Sequence, residues 1–288
     1  MASMRDIQRR KNSVRSTGQI TKAMKLVATV KLQKARSRAE SAKPYFDEMY
    51  KTVKTVLARS GTINHRYLQQ SDNPDAKKAV IILSSNRGLA GGYNSNMVKL
   101  ITNNEAFTKD NTVIYSVGTK ARDALVKRGY SLGKDFSDVM EQPIYRDAMD
   151  ICQEVLKAFE AGEIGEIYIA YTFFKNTVSH IPTLLKLLPV DKTDEEVSAE
   201  DSKTLMNFEP EEDEVLDVVI PKYMSSIIFG ALIQAVASEN GARMAAMDSA
   251  TSNAEEMIED LSLKYNRARQ SSITNELTEI IAGADALG

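Results

Sequence analysis

Apolar and small residues recur at alternating spacings of four and three near both ends of this 288-residue chain. A sustained repeat averaging 3.5 residues is typical of helices that wrap around another helix, rather than of a helix lying on a globular core. Towards the N-terminus the repeat comprises Ala28, Leu32, Ala35, Ala39, Ala42, Phe46, Met49, Val53 and Val56. Towards the C-terminus it comprises Met247, Thr251, Ala254, Ile258, Leu261, Tyr265 and Ala268.

Both repeats lie in long segments that contain few helix breakers. Residues 1–60 contain one proline, Pro44, and no proline follows Pro221. At ~1.5 Å per residue the segments predict helices of about 80–90 Å and about 100 Å. Helices this long are rare without a partner, so we expect the two to pair antiparallel and the longer to project beyond the shorter. Pro44 is expected to kink or locally break the first helix.

The middle of the chain alternates between strand-like and helix-like segments. Short runs rich in β-branched residues at 79–85 and 112–118 each precede a helical pattern, at 94–107 and 119–129. A third helix is expected at 143–162, followed by strands at 166–174 and 179–190. Strands that alternate with helices predict a partly parallel sheet with crossover helices, and the last two strands are expected to form an antiparallel edge.

The fold class expected from these patterns is α/β. A long antiparallel coiled coil of the N- and C-terminal helices accompanies a central Rossmann-like mixed sheet domain. The expected boundaries are an N-terminal coiled-coil helix at 1–60, the α/β domain at 76–190, an acidic linker at 191–208 and a C-terminal coiled-coil helix at 209–288.

Charge is strongly segregated along the chain, although the net charge is only −2. Residues 1–60 contain 15 Lys and Arg against 4 Asp and Glu, whereas residues 191–217 contain 12 acidic residues against 2 basic ones. Such asymmetry indicates that one segment meets an oppositely charged partner. The first 44 residues lack aromatic side chains, which argues against stacking on single-stranded nucleic acid. An acidic collar on another protein is the better match to a narrow basic coiled coil.

The glycine-rich segment SSNRGLAGGYN after the first predicted strand resembles a phosphate-binding loop only superficially. Tyr93 and Asn94 stand where the Walker pattern requires Lys and Ser or Thr. Gly88, Gly91 and Gly92 do not have the spacing of the dinucleotide fingerprint. A tight strand-to-helix turn is the favoured interpretation.

Residues with catalytic or metal-binding chemistry are scattered. His65 and His180 are the only histidines and neither has a companion at ligand spacing. The single cysteine, Cys152, rules out an internal disulfide and is expected to be a small buried apolar group. We therefore expect no catalytic residue, no cofactor and no metal site. No uninterrupted apolar run approaches the ~18 residues of a membrane span, and no signal-peptide core is apparent.

Four segments together resemble the gamma subunit family of the F-type ATP synthase: ITKAMKLVATVKLQKAR, SSNRGLAGGYN, ASENGARMAAMDSATSNAEEMI and NRARQSSITNELTEIIAGADAL. They occur in the family's order, and the likeness covers essentially the whole chain. One departure is Asn86, where the family usually has aspartate after the serine of the glycine-rich turn.

The resemblance implies a non-catalytic rotor subunit. Its paired terminal helices would form a bent shaft inside a ring of three alpha and three beta subunits, with the α/β domain below, near the membrane. Nucleotide chemistry would occur on beta. The rotor would couple proton or sodium flow through the c-ring to ATP synthesis or hydrolysis, and membrane association would come only through the complex.

The resemblance also implies which residues meet the partners. Met24 and Lys25, with Arg9, Arg10 and Lys22, would lie close to the acidic lever of beta. Contacts with loops higher in the ring would come from Arg269, Gln270, Thr274 and Glu276. The c-ring foot would comprise Met206, Asn207, Phe208 and Glu209, and the epsilon subunit would dock on the α/β domain.

Two other functions compete with this hypothesis. A nucleotide-binding α/β regulator with coiled-coil arms would need a phosphate site that the glycine spacing does not provide. A basic coiled coil on nucleic acid would account for the N-terminal charge alone. The start of the chain at the family's first helix and the lone cysteine favour a bacterial protein, on the cytoplasmic side of the plasma membrane.

Overall fold

The computed structural model describes residues 4–59, 65–69, 73, 75–177, 179–190 and 212–285. In chain order they form helix α1 (Met4–Arg59), strand β1 (Lys77–Leu83), helix α2 (Tyr93–Thr102), strand β2 (Thr112–Val117), helix α3 (Thr119–Val126), strand β3 (Ser131–Asp135), a 3-10 helix (Ser137–Glu141), helix α4 (Tyr145–Glu160), strands β4 (Ile164–Phe174) and β5 (His180–Leu188), and helix α5 (Glu212–Asp285). Two compact units result: the coil unit, Met1–Ala28 with Met244–Gly288, and the sheet unit, Thr29–Arg243.

The sheet unit contains a five-stranded mixed sheet in the order β3-β2-β1-β4-β5. β1 pairs in parallel with β2 and β4, and β2 pairs in parallel with β3. β5 is antiparallel to β4, with Tyr171 opposite Thr183, as the sequence predicts. β3 was not predicted from the sequence, because the strand SLGKD has only five residues, two of them charged, and all five are exposed.

Alternate residues of the central strand face two separate cores. Ile81 and Leu83 pack against α4 and the first half of α5, whereas Val80 and Ile82 pack against α2 and α3. All four side chains are fully buried. A strand covered on both faces has to be apolar at every position, which explains the continuous run AVIIL.

The first half of α5 is apolar because it packs on the sheet. α5 is the one helix in the described part of the chain that is long and apolar enough to cross a membrane, with a window of mean hydropathy 1.6 that is half buried. Uninterrupted apolar runs in the sequence do not reveal this window, because polar residues interrupt it. Met224, Ile228 and Leu232 are fully buried in the core beneath the sheet. A helix that packs in a protein core can be as long and as apolar as one that crosses a membrane.

Both long helices run through a proline. α1 is continuous through Pro44, so the local break expected there is not observed. α5 begins at Glu212, before Pro221, and the Ser225 hydroxyl donates a 2.8 Å hydrogen bond to the Pro221 carbonyl oxygen. The expected acidic linker at 191–208 lies outside the described residues.

Candidate partner-contact surface

Within the coil unit, α1 and α5 pair antiparallel. Lys25 forms an ion pair with Asp248 at 2.5 Å, and the Thr21 and Thr251 hydroxyl oxygens lie 2.8 Å apart. One turn further, a Cβ placed on Gly18 would lie 3.3 Å from the Ala254 Cβ. As the residue number falls along α1, the number of its partner rises along α5, which confirms the antiparallel coiled coil.

Burial follows the predicted 3.5-residue repeat. Ala28, Met247, Ala254 and Leu261 are buried, and Ile258 is half-buried. The repeat also extends towards the N-terminus beyond the residues recognised from the sequence, through buried or half-buried Met4, Ile7, Lys11, Val14, Gly18, Thr21 and Lys25. This part of the repeat shows no continuous hydrophobic pattern, because several of its positions are polar. In the structure, Thr21 and Lys25 bond to polar groups on the facing helix.

The C-terminal end of α5 continues past the described start of α1. The pairing register places Met4 opposite about residue 268, and α5 runs on to Asp285. Beyond that point Ile273, Leu277 and Ile280 are 48%, 55% and 67% exposed. The apolar face of this segment, which we call the α5 tip (269–285), is therefore open to a partner from outside the coil unit.

The predicted upper contact residues all lie on the α5 tip. Arg269, Gln270, Thr274 and Glu276 are exposed. The Ser272 hydroxyl donates a 3.3 Å hydrogen bond to the Glu276 carboxylate. These polar groups surround the exposed apolar face, so the tip presents both kinds of contact to a surrounding surface.

The predicted lower contact residues lie further down the coil. Lys22 is exposed, and Met24 and Lys25 are half-buried. Lys25 is engaged within the coil by Asp248, a partner that the sequence analysis did not find. From Asp248 to Arg269 is 21 residues of helix, or about 30 Å at ~1.5 Å per residue.

Arg9 and Arg10 do not lie beside Met24. Fifteen residues of α1 separate Arg9 from Met24, which corresponds to about 22 Å at ~1.5 Å per residue. Both arginines are exposed, and Arg9 lies 3.7 Å from the Asp6 carboxylate. The structure thus places the predicted α1 contacts in two patches, one near Met24 and one near the described start of the helix.

In the sheet unit, side chains of the segment SSNRGLAGGYN bond to backbone amides of a neighbouring helix, α3. At the N-terminus of α3 the Thr119 amide donates to Asn86 Oδ1 and the Ala121 amide donates to Ser84 Oγ, both at 3.1 Å. Nucleotide phosphates in α/β folds use such free amides at a helix N-terminus. Here those amides already donate to side chains of the protein, which favours the interpretation of SSNRGLAGGYN as a structural turn.

An ion pair within α5, whose two side chains are each 13% exposed, supports the glycine-rich turn. The Arg243 guanidinium lies 2.8 Å from the Glu239 carboxylate and donates to the carbonyl oxygens of Arg87 and Gly88 at 3.4 Å. Burial raises the pKa of the Glu239 carboxyl, although the Arg243 charge acts in the opposite direction. The Tyr93 hydroxyl adds a 3.3 Å bond to the Ala235 carbonyl.

Comparisons with known proteins agree with the antiparallel coil and mixed sheet. The family model described as ATP synthase matches residues 3–287. The ATP synthase gamma chain of Lachnoclostridium phytofermentans is 63% identical, with all of both chains covered. The chain belongs to the ATP synthase gamma chain family. A second relative, the sodium ion specific ATP synthase gamma chain of Acetobacterium woodii, is 41% identical and covers 99% of each chain.

Solved structures share the fold of this gamma chain family member. A chain in the structure of Euglena gracilis mitochondrial ATP synthase (OSCP/F1/c-ring, rotational state 3) aligns with a TM-score of 0.69 at 20% identity, covering 99% of this chain and 94% of that chain. The long terminal helices and the sheet domain are therefore features of a known fold.

Three exposed apolar residues on α1 of this family member were not selected from the sequence. Ile20, Leu26 and Val27 on α1 are 60%, 63% and 58% exposed, close to Lys22 and Met24. These residues fall between the seam positions Gly18, Thr21, Lys25 and Ala28, on faces that a two-helix coil does not bury. Their spacing from the seam could therefore have been read from the sequence.

Proposed function

We propose that this chain is the central-stalk rotor subunit of an F-type ATP synthase. It couples proton or sodium flow through a c-ring to ATP synthesis or hydrolysis on a ring of three alpha and three beta subunits. The subunit itself is non-catalytic, and nucleotide chemistry takes place on its partners. Membership of the ATP synthase gamma chain family supports this proposal.

The observation that carries the mechanism is the asymmetry of the coil unit. One helix continues beyond the other with an exposed apolar face and a polar collar, so the tip has no rotational symmetry. A rod of this kind inside a threefold ring touches the three surrounding positions differently. Each position then favours a different conformation and nucleotide affinity, and the coupling is bounded by the difference in contact energy between rotor angles.

The contact residues follow from this arrangement. Arg269, Gln270, Thr274 and Glu276 on the α5 tip would meet the upper loops of the ring. Lys22, Met24 and Lys25 would meet the acidic lever of beta. The patch around Arg9 and Arg10 would lie between these two levels. Attraction between the basic α1 surface and acidic partner groups should weaken as salt rises.

The contacts at the other end belong to the same proposal. Met206, Asn207, Phe208 and Glu209 would form the foot on the c-ring, and these four residues lie outside the described part of the chain. An epsilon subunit would dock on the sheet unit. The chain would be a peripheral membrane protein, held through the complex on the cytoplasmic side of a bacterial plasma membrane. Bacterial relatives at 63% and 41% identity support this placement.

A single-molecule experiment tests the rotor directly. Burial raises the pKa of the Cys152 thiol to about 11, so a cysteine introduced at exposed Lys109 can be labelled selectively. With alpha and beta assembled on a surface and a bead on Lys109→Cys, ATP should drive rotation in one direction with three equivalent dwell angles. The chain alone should show no ATP turnover.

Two results would contradict the proposal. Turnover by the purified chain at a rate comparable to that of the complex would place the chemistry on this subunit. A bead that stays fixed while the complex hydrolyses ATP would show that the chain is not the moving part. A complex carrying the bead on an alpha subunit supplies the stationary control.

A further inference from the structure

A cavity of about 620 Å³ lies in the sheet unit between α1, the end of β4 and α5. Its walls are largely aromatic and aliphatic, and include Tyr171, Phe173, Phe174, Ile227 and Ile233. Sites for small molecules in proteins typically measure about 300–1,000 Å³, with apolar walls and a few polar groups. The size and the lining of this cavity both fall within that class.

The cavity exists because the two long helices present small residues to it. Ala39 on α1 and Gly230, Ala231 and Ala237 on α5 all line it. Side chains of this size do not fill the space left between two helices and the edge of a sheet. The surrounding atoms therefore lack dispersion contacts that a bound molecule would supply.

Charged side chains from two elements line the same cavity. Arg36 and Glu40 on α1 are 55% and 73% exposed and lie 3.8 Å apart, and exposed Lys175 follows β4. An exposed ion pair of this geometry contributes little, so an incoming anion can compete for the guanidinium. Two cations against one carboxylate give these positions a net positive charge.

Neutral polar side chains also line the cavity: Gln234, Ser226, Tyr171 and Tyr223. The Gln234 side-chain oxygen accepts a 3.1 Å hydrogen bond from the Phe174 amide, which holds the side chain in place. The amide nitrogen of Gln234 supplies hydrogen-bond donors to an oxygen of the ligand. The cavity thus combines apolar walls, a side-chain amide that is held in place and positively charged residues at its rim.

We propose that this cavity binds an amphiphile that has an apolar body and a single carboxylate head. The body lies against the aromatic residues of β4 and the small residues of α5, and the carboxylate lies near Arg36 and Lys175. The proposal concerns the chain by itself and does not depend on the rotor function.

Titration calorimetry on the full chain tests the site, with dodecanoate as the probe and concentrations kept below its micelle range. Dodecanoate should bind with one-to-one stoichiometry. Dodecylamine, which has the same tail and the opposite charge, should bind about tenfold or more weakly. Equal binding of the two probes would overturn the proposal, because it would show adsorption without head-group recognition.

Two pairs of variants locate the binding. Ala39→Phe fills the cavity and should weaken dodecanoate binding about tenfold or more, whereas Ala245→Phe, at an exposed alanine of α5, should not. The double variant Arg36→Gln with Lys175→Gln should weaken binding of dodecanoate. The difference in affinity between dodecanoate and dodecylamine should become smaller. Exposed Lys127→Gln is the matched control.

The charge variants keep the test decisive if Ala39→Phe folds poorly. Arg36 and Lys175 are exposed, so their replacement leaves the helix content measured by circular dichroism unchanged. Dodecanoate binding that is absent in the parent chain, or that is the same in the parent chain and the double charge variant, would refute the site.

Discussion

The hydroxyl oxygens of Thr21 and Thr251 lie 2.8 Å apart where α1 and α5 pair in the coil unit. Each hydroxyl also lies near a backbone carbonyl of its own helix, Thr21 at 3.0 Å from Gly18 O and Thr251 at 2.8 Å from Met247 O. Two hydroxyl hydrogens therefore serve three contacts. Thr21 is only 8% exposed, so water cannot readily replace a lost partner.

The threonine pair predicts a non-additive mutant cycle. Thr21→Val or Thr251→Val alone should cost about 0.5–1.5 kcal/mol of unfolding free energy, because each removes the hydrogen bond between the helices. The double variant should cost less than the sum, since both polar groups leave together. Urea unfolding followed by helical circular dichroism measures this. Exposed Thr17→Val is the control, and strict additivity would contradict the prediction.

The sequence predicted the coil well where its seam is apolar and poorly where it is polar. Ala254 and Leu261 were recognised from spacing alone because a buried seam between helices selects apolar and small residues. Lys11 and Lys25 occupy the same seam but follow no hydrophobic pattern. Their places became visible only with the facing helix, as the ion pair between Lys25 and Asp248 shows.

The sheet was predictable for a similar reason, and its edge was not. β1 and β2 are buried on both faces and read as continuous apolar runs. β3 is an exposed edge strand whose residues carry no periodic signal. For the contact surface, the contact residues were predicted from motif resemblance and stay a prediction, whereas the separation of Arg9 from Met24 follows from helical geometry alone.

Gly118 should tolerate no side chain. Its φ is +106°, and a Cβ built there would lie 2.0 Å from the Ser84 carbonyl oxygen, a backbone atom at the start of the glycine-rich turn. Gly118→Ala should therefore cost about 3 kcal/mol or more of unfolding free energy. Gly88→Ala is the matched control, because no atom in the described part of the chain lies within 4 Å of the added atom. Equal melting temperatures for the two variants would contradict this account of the turn.

Asn86 has a role that aspartate cannot fully perform. Its side-chain NH2 donates a 2.8 Å hydrogen bond to the Ser137 carbonyl oxygen, and its Oδ1 accepts from the Thr119 amide. Asn86→Asp keeps the acceptor but places a carboxylate against a carbonyl oxygen, so it should cost about 1–3 kcal/mol near neutral pH. The cost should shrink in acid, because a protonated carboxyl can donate. A cost that is independent of pH, measured by urea unfolding, would refute this explanation.

His180 should make the folded state sensitive to acid. Its buried Nε2 has no hydrogen-bond partner among the described residues, and a Cβ on Gly241 would lie only 2.6 Å from this atom. Burial lowers the pKa of His180, so the unfolded chain binds more protons than the folded chain once the pH falls below the ordinary histidine value of about 6.5. The stabilising contribution is present above that value and is lost as the pH falls towards the lower folded pKa.

The comparison that checks this uses His180→Leu. Between about pH 7.5 and about pH 5.5 the parent chain should lose more unfolding free energy than the variant, because the other titrating groups are common to both. Parallel stability profiles would show that His180 is not the group responsible. Phe174, whose ring centre lies 5.7 Å from that of His180, is retained in both chains.

The α5 tip should matter for activity and not for the stability of the chain. Ile273, Leu277 and Ile280 are largely exposed, so replacing all three with serine should change unfolding free energy by no more than about 0.5 kcal/mol at each position. Leu261→Ala, in the buried seam, should cost about 2–5 kcal/mol. In a complex with alpha and beta, the triple variant should lower ATP-driven rotation torque, because the apolar face of the tip no longer contacts the ring. Full torque from the triple variant would show that the apolar face of the α5 tip is not needed for contact with the ring. Loss of chain stability would show that this face packs within the coil unit.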